Sequence, residues 1–437
     1  MSALYKTVTK LSEPVLNALL RARIKRGKED PLRFTEKKGI ASLPRPEGKL
    51  LWLHAASVGE SVSALIVIER MLQLDPGANI LVTTGTLTSA QMMEKRLPKS
   101  AVHQFYPLDH PRWVKRFLEH WRPDMVLWME SELWPNMLSE IEAAHIPAIL
   151  VNARLSPRSF KRWKRAKKTA QKILRPFEFI LTQTQQDKTY FEALGAHKVI
   201  CTDNLKYSAK PLTHAPDDLK KLREVLEGRP LWLYASTHKG EEELAVRVHR
   251  ILKSRFPNLL TLVIPRHPER AEQIIKSLQD VKISICRRTQ NKTLPQDEDE
   301  LYLIDTLGEM GLFYQLSPLS CIGRSFSADG GGGHNPIEAA QLHSAVLHGP
   351  NVQNLDEIFR EMDEARAALN ISKPQELAKV VRRLLTNQDE LLCLQDKAFD
   401  FAKSKSHVIE RVMTHIMPLW KEIDVKNTDK EVSAHAL

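Results

Sequence analysis

Glu60 closes the stretch His54-Ala55-Ala56-Ser57-Val58-Gly59-Glu60, directly after the apolar run at 50–53. A carboxylate in a turn of small residues past a buried strand has two uses. It can complement the dipole at a helix start, which would hold its pKa below the ordinary value, or it can act as a general base over a substrate site. A second acidic turn, Glu130-Ser131-Glu132-Leu133-Trp134-Pro135-Asn136, follows the apolar run at 125–129. Its glutamates carry the same two readings, and with Glu60 they gather acids at neighbouring strand ends. Lys206, in Asp203-Asn204-Leu205-Lys206, is a solvated lysine if it stands alone. Facing the same site, it would offset charge developing on a leaving group.

The second half carries residues suited to an anion. Gly330 through Gly333 run into His334-Asn335-Pro336-Ile337-Glu338. Such a loop lets backbone approach a ligand, and a following helix start offers unpaired amides. Glu338 could accept from a ribose diol. The bland alternative is a flexible linker before a capped helix, and no dinucleotide or Walker pattern occurs. Pro265-Arg266 ends another apolar run, leaving an Arg where bidentate phosphate recognition is possible. Gly308-Glu309-Met310 lies in a third turn of this kind, weak on its own. No metal is expected. Asp297 through Glu300 read as a solvated acidic run, and His54, His267 and His334 stand singly at different strand ends, which favours structural roles.

The elements that must position these residues alternate. Strand-like runs at 50–56, 79–86, 125–130, 148–153 and 179–184 are separated by stretches of helical periodicity such as 61–74 and 89–97. A second series follows at 231–237, 259–265, 283–286, 301–306, 319–323 and 344–349. Alternation of this kind predicts parallel sheets covered by helices on both faces, with ligands at the carboxyl ends of the strands. Leu51-Trp-Leu-His-Ala-Ala-Ser57 and Leu231-Trp-Leu-Tyr-Ala-Ser-Thr237 are near copies, each opening one half. The expectation is α/β: two facing Rossmann-like domains with a cleft between them. The domain reading is an amphipathic segment at 1–28, a first domain at 29–208, a second at 209–423 that includes a long helical stretch from 374, and a flexible tail at 424–437.

Composition limits the partners. The 437 residues carry 64 Lys and Arg against 53 Asp and Glu, a net charge of +11 that favours an anionic partner. Ten Lys or Arg and no acid lie between 151 and 177, with Phe160 and Trp163 interleaved. Leu4, Val8, Leu11, Val15 and Leu19 form one helical face in a segment broken at Ser12-Glu13-Pro14, with basic residues just beyond it. That segment suits either an anionic membrane surface or a helix packed by this face on its own domain. No apolar run is long enough to span a bilayer and no signal-peptide apolar region precedes a small-residue cleavage site, so a cytosolic location is expected. The four cysteines are scattered and read as reduced, without disulfide or zinc. Nonspecific nucleic-acid binding by the basic stretch stays open on charge alone, though no RNA-recognition or helix-turn-helix pattern accompanies it.

The motifs His54–Glu60, Glu130–Asn136, Asn152-Ala-Arg154-Leu-Ser156, Asp203–Tyr207, Tyr234–Glu242, Pro265–Arg270, Asp305–Tyr314 and Gly332–Ala340, in that order and spacing, resemble the 3-deoxy-D-manno-octulosonate (Kdo) transferases. The resemblance covers the chain from about 30 to 420. It implies a glycosyltransferase-B fold and a metal-independent inverting transfer of Kdo from CMP-Kdo to the primary hydroxyl of a lipid A precursor (lipid IVA). The place implied is the cytoplasmic face of a Gram-negative inner membrane, with residues 2–28 and 154–175 on the anionic surface, and no nucleic acid involved. Carried over by position, Glu60 is the base, and Glu130 and Lys206 stabilise the transition state. Pro265, Arg266, Gly308, Glu309, Met310, Asn335, Pro336, Ile337 and Glu338 form the CMP site. No cofactor is implied beyond the donor substrate. Two features depart from the family pattern: the N-terminal segment is amphipathic instead of a longer apolar anchor, and Arg324 stands where glycine is usual.

Overall fold

The computed structural model describes residues 3–289, 291–327, 329–353 and 355–434, with side chains described between 5 and 423; Leu4's side chain and residues 435–437 lie outside. The chain divides into two compact units, Met1–Ala209 with His407–Leu437, and Lys210–Ser406. The last helix, Val408–Ala434, therefore belongs to the first unit, not the second, and it continues through the segment expected to be a loose tail. The helical stretch after 374 is three helices, not one, with breaks at Asn387 and Ser406.

The first unit holds a seven-stranded parallel sheet of β1 (Leu50–Ala55), β2 (Asn79–Thr84), β3 (Ala101–Phe105), β4 (Met125–Met129), β5 (Ala148–Ala153), β6 (Phe177–Thr182) and β7 (Val199–Cys201), in the order β3-β2-β1-β4-β5-β6-β7. The second sheet contains β8 (Leu231–Thr237), β9 (Leu260–Pro265), β10 (Ile285–Arg287), β11 (Leu301–Leu303), β12 (Leu319–Ile322), β13 (Ala345–His348) and β14 (Ala368–Asn370), in the order β10-β11-β9-β8-β12-β13-β14. Every pairing is parallel. Helices cover both faces, so central strands are buried throughout and read as continuous apolar runs. Strand order reverses beside β1 and β4 in one sheet and beside β8 and β12 in the other, where doubly wound sheets place ligands.

Each unit has its own core, and the duplicated Trp plays one part in both. Trp52 Nε1 donates to Thr83 Oγ1 at 2.9 Å, tying β1 to β2, and Trp232 Nε1 donates to Thr261 Oγ1 at 2.9 Å, tying β8 to β9. A buried indole N–H without a partner would lose its hydration for nothing, so a Thr on the neighbouring strand accompanies each Trp.

The N-terminal segment folds as α1 (Ala3–Leu11) and α2 (Glu13–Lys25). Pro14 sits in the first turn of α2, while the Ser12 hydroxyl donates back to Thr9 O at 2.7 Å and does not cap it. The pair docks on its own unit through polar contacts and Leu20, not through the apolar stripe. Val8, Leu11, Val15 and Leu19 are 56, 73, 69 and 49% exposed. Among the described residues no helix is long and apolar enough to cross a membrane.

Candidate active site

Glu60 stands in the first turn of α3 (Val58–Leu74), which starts as β1 ends. Ser57 is the N-cap: its hydroxyl accepts from Glu60 N at 3.3 Å and donates to Glu60 Oε1 at 2.9 Å. Glu60 Oε2 accepts from Ala56 N at 2.8 Å. This is a variant of the capping box, with the carboxylate reaching the amide one residue before the N-cap, so the helix-start reading of Glu60 is realised geometrically. The pKa moves against that reading. Burial, and then the neighbouring Glu130 carboxylate, push Glu60 up to about 7, outweighing the Ala56 and Ser57 bonds. A carboxylate poised there is matched to proton transfer near neutrality.

Glu130 follows β4, the strand beside β1 at the reversal. Its φ is 56°, the left-handed region that costs a branched-free side chain about 1 kcal/mol or more. The backbone is held there by Glu130 N donating to Val151 O at 3.0 Å. Burial raises its pKa, opposed by Lys206 and Arg154. Glu132 is exposed, and Trp134 Nε1 donates to its Oε2 at 3.1 Å.

Lys206 lies in a short 3₁₀ turn, Leu205–Ser208. Burial lowers its pKa, while Glu130 and Glu60 act the other way. Its placement depends on three amides that the sequence reading did not single out as a group. Asn152 Oδ1 accepts from Leu205 N at 3.0 Å, Gln183 Nε2 donates to Asn152 O at 2.9 Å, and Asn204 Nδ2 donates to Gln183 Oε1 at 3.0 Å. Asn152 also has a left-handed φ of 56°. The structure thus brings Glu60, Glu130 and Lys206 into electrostatic reach of one another, with Arg154 beside them. His54 is core: buried between Tyr106 and Trp128, with ring centroids at 4.1 and 4.4 Å, it is pushed down to about 3 by burial.

In the second unit the expected donor residues divide. Gly308 and Glu309 line a cavity of about 580 Å³ with Lys292, Asp305 and Leu307. The Glu309 side chain is committed to structure: Arg288, 1% exposed, donates to both its oxygens at 2.6 Å. Although burial acts upward, Arg288 and Thr306 hold its pKa below the usual range. Arg288 was missed because nothing in its neighbours marks it as an anchor. Met310 starts the helix Met310–Leu316. Pro265 ends β9, and Arg266 is exposed, its backbone N donating to Thr237 O at 3.0 Å.

The glycine loop is left-handed throughout, with φ of 101, 65, 131 and 63° at Gly330 to Gly333, and a Cβ on Gly331 would sit 2.4 Å from Asn351 Cβ. The helix after it is a single turn, Ile337–Ala340, so the helix-start amides expected for an anion come with little dipole. Asn335 Oδ1 accepts from Ile337 N at 3.2 Å, Pro336 precedes the turn, and Ile337 is wholly buried in the core. Asn335 Nδ2 donates to Glu338 Oε1 at 3.3 Å.

His267 and His334 do not stand singly. His238, at the end of β8, lies with Nε2 at 3.1 Å from His334 Nε2 and its ring centroid 6.1 Å from that of His267. Burial first, then Arg266, push His334 down to about 3, and burial also lowers His238. Arg324 has φ of 63°, and its N donates to Glu241 Oε2 at 2.7 Å. A left-handed position there explains why glycine would be the low-cost residue. Among the described residues no group of three or more His, Cys, Asp or Glu is placed to hold a metal ion.

Comparison with known proteins bears on what this geometry serves. Residues 31–209 match the model of the 3-deoxy-D-manno-octulosonic-acid transferase (kdotransferase) family. A 3-deoxy-D-manno-octulosonic acid transferase of Rickettsia bellii is 34% identical over 96% of this chain and 100% of its own length. The Haemophilus influenzae transferase of the same name is 32% identical over 87% of this chain and 89% of its own. Among solved structures, a glycosyltransferase from Rickettsia africae superposes with a TM-score of 0.56 at 15% identity, covering 86% of this chain and 99% of that one. A UDP-GlcNAc 2-epimerase from Neisseria meningitidis does so at 0.55 and 14% identity, covering 84% and 100%. Both show the fold, two Rossmann-like domains of the glycosyltransferase-B kind, and a fold shared by a transferase and an epimerase leaves chemistry to the site. The near full-length identity decides between them: the chain belongs to the 3-deoxy-D-manno-octulosonic acid transferases.

Proposed function

We propose that this transferase moves Kdo from CMP-Kdo to the primary hydroxyl of a lipid A precursor, inverting the anomeric centre, without a metal ion. The observation that carries the reading is the buried Glu60 carboxylate, held near pKa 7 beside Glu130 where strand order reverses. Ionised Glu60 takes the proton of the attacking hydroxyl. The new C–O bond forms as the bond from the anomeric carbon to the CMP phosphate breaks, and its electron pair leaves with the phosphate. Glu130 stabilises the oxocarbenium-like centre, and the Lys206 cation offsets the charge of the departing phosphate.

The nucleotide belongs to the second unit in this reading. The 580 Å³ cavity at the 305–309 turn suits a nucleoside. Arg266 and Arg324 bring positive charge beside the His238–His334 pair, whose neutral rings can still hydrogen-bond an anion, while Asp329 offsets part of that charge. Asn335 through Glu338 offer the polar groups of the one-turn helix.

Membrane attachment follows from two surfaces of the first unit. The exposed stripe of α1 and α2 suits insertion at the interface of a bilayer. Arg154, Arg158, Lys161 and the other bases through Arg175 are all exposed, while Phe160 and Trp163 turn toward the core, Phe160 stacking on Tyr190 at 4.1 Å. These bases are suited to the acceptor's phosphates and to anionic lipid on the cytoplasmic face of the inner membrane. Incubating the protein and Glu60→Ala with CMP-Kdo and an acylated, bis-phosphorylated acceptor, with product masses read by mass spectrometry, tests this. Transfer is expected from the parent and a loss of at least about 100-fold from the variant. Transfer persisting near the parent rate would remove Glu60 from the base role.

A further inference from the structure

The docked side of α1 reaches the acidic turn of the site through a short run of hydrogen bonds. Asp109 is the junction. Its Oδ2 accepts from Tyr5 OH and from Asn136 N, both at 3.0 Å, and its Oδ1 accepts from Met137 N at 3.0 Å. Asn136 Nδ2 donates to Asp109 O at 2.6 Å and to Thr9 Oγ1 at 3.0 Å. The Thr9 hydroxyl spends its proton on Tyr5 O at 2.8 Å, which leaves a lone pair for Asn136. Asn136 and Asp109 are buried, at 1 and 8% exposure, so these bonds are not exchanged freely for water.

Asn136 is also the far end of the turn that begins at Glu130. The near end is fixed by Glu130 N on Val151 O, and the middle by Trp128 Nε1 donating to Glu132 O at 2.6 Å. The far end is held by the junction as well as by core packing of Met137 and Leu138: Asp109 caps the helix Pro135–Ala143 that Asn136 enters, and α1 closes the junction from outside. A left-handed Glu130 is sustained by the structure around it, of which the two ends of this turn are part.

We propose that α1 is a positioning element for the acceptor side of the site: through Tyr5 and Thr9 it sets the Asp109–Asn136 junction, and with it the turn carrying Glu130. The proposal rests on the function given above. Tyr5 and Thr9 act through other residues and touch no substrate. The same helix turns Val8 and Leu11 outward, so one element joins the surface offered to lipid and the geometry of the catalytic turn.

The test uses the full chain, with Thr9→Val, Thr9→Ser and Tyr5→Phe. Transfer is measured with acceptor in anionic phosphatidylglycerol vesicles and again with acceptor dispersed in detergent, and vesicle binding is measured by sedimentation. The expected result is a kcat about tenfold lower for Thr9→Val and Tyr5→Phe in both media. Vesicle binding should stay at the parent level, and Thr9→Ser should restore kcat. A rise in KM on vesicles with kcat unchanged would make α1 an anchor only and overturn the proposal. If Tyr5→Phe does not fold, the Thr9→Val and Thr9→Ser pair carries the test. If the parent itself transfers no Kdo, the function fails and the junction is judged separately by hydrogen exchange. Faster exchange at the Asn136 and Met137 amides of Thr9→Val supports it, and unchanged exchange overturns it.

Discussion

Ser57 and Glu60 close one turn reciprocally, the Ser57 hydroxyl accepting from the Glu60 amide at 3.3 Å while donating to the Glu60 carboxylate at 2.9 Å. The bond that starts the helix therefore also trims the basicity of the group proposed to do the chemistry. Ser57→Ala removes both halves. Lost capping should cost about 1 kcal/mol in denaturant unfolding. Lost donation to the ionised form should raise the Glu60 pKa, moving the acid limb of the rate profile to higher pH. Ser57→Thr should preserve both.

The pH dependence of the parent follows from the same group. The base role proposed for Glu60 requires its ionised form, so kcat/KM should fall about tenfold per pH unit below about 7. Glu130→Gln removes the like charge that raises Glu60, and should shift that limb to lower pH while lowering the plateau.

Stability runs the other way. A folded pKa of about 7 against an ordinary 4.5 favours the fold while Glu60 is protonated. That contribution is fully present below 4.5 and is lost as pH rises through 7. The unfolding free energy of the parent, referred to non-titrating Glu60→Gln, should fall by up to about 3 kcal/mol between pH 4 and 8. A flat difference across that range would contradict the buried, charge-coupled placement of Glu60.

Arg288 and Glu309 form a bidentate pair under the 305–309 turn, the Arg buried and the Glu 14% exposed. Removing one partner strands the other charge, so Arg288→Ala should destabilise the protein by about 3 to 5 kcal/mol in chemical denaturation. Arg288→Lys, which keeps the charge but loses the fork, should fold better and still bind CMP more weakly by calorimetry, because the turn lining the cavity relaxes.

The exposed stripe of α1 and α2 predicts a separable effect. Val15→Asp with Leu19→Asp should release the protein from anionic vesicles in sedimentation while leaving the thermal midpoint within about 2 °C, since neither side chain is buried.

Most of this architecture is legible in the residues because central strands of doubly wound sheets are apolar on both faces. β3 and β7 escaped that reading for a physical reason: β3, at an edge, carries His103 and Gln104 and is half exposed for three residues, and β7 has only three residues. β14, the opposite edge of the second sheet, is equally short. Glu60, Glu130 and Lys206 could be found because each follows a recognisable strand or motif. Arg288 and the amides Gln183 and Asn204 could not be given their parts, since what distinguishes them is a partner distant in sequence. The histidines failed for the same reason: singly each looks structural, and only folding sets His238 against His334. Even the direction of the Glu60 shift needed coordinates, because a helix start alone argues downward and the burial that reverses it has no local signature.

The paired Trp–Thr locks on β1–β2 and β8–β9 give the chain a built-in control. Each is followed by a glutamate in the first turn of the next helix, Glu60 behind the Ser57 cap and Glu241 directly after Gly240. Glu241 is saturated, accepting from His238 N at 2.9 Å, Arg324 N at 2.7 Å and Phe326 N at 3.0 Å. Glu60 accepts from one amide and one hydroxyl. The same scaffold has thus been solved twice, once with its carboxylate retired into mortar and once with it left the freer of the two, as the proposed reagent would need.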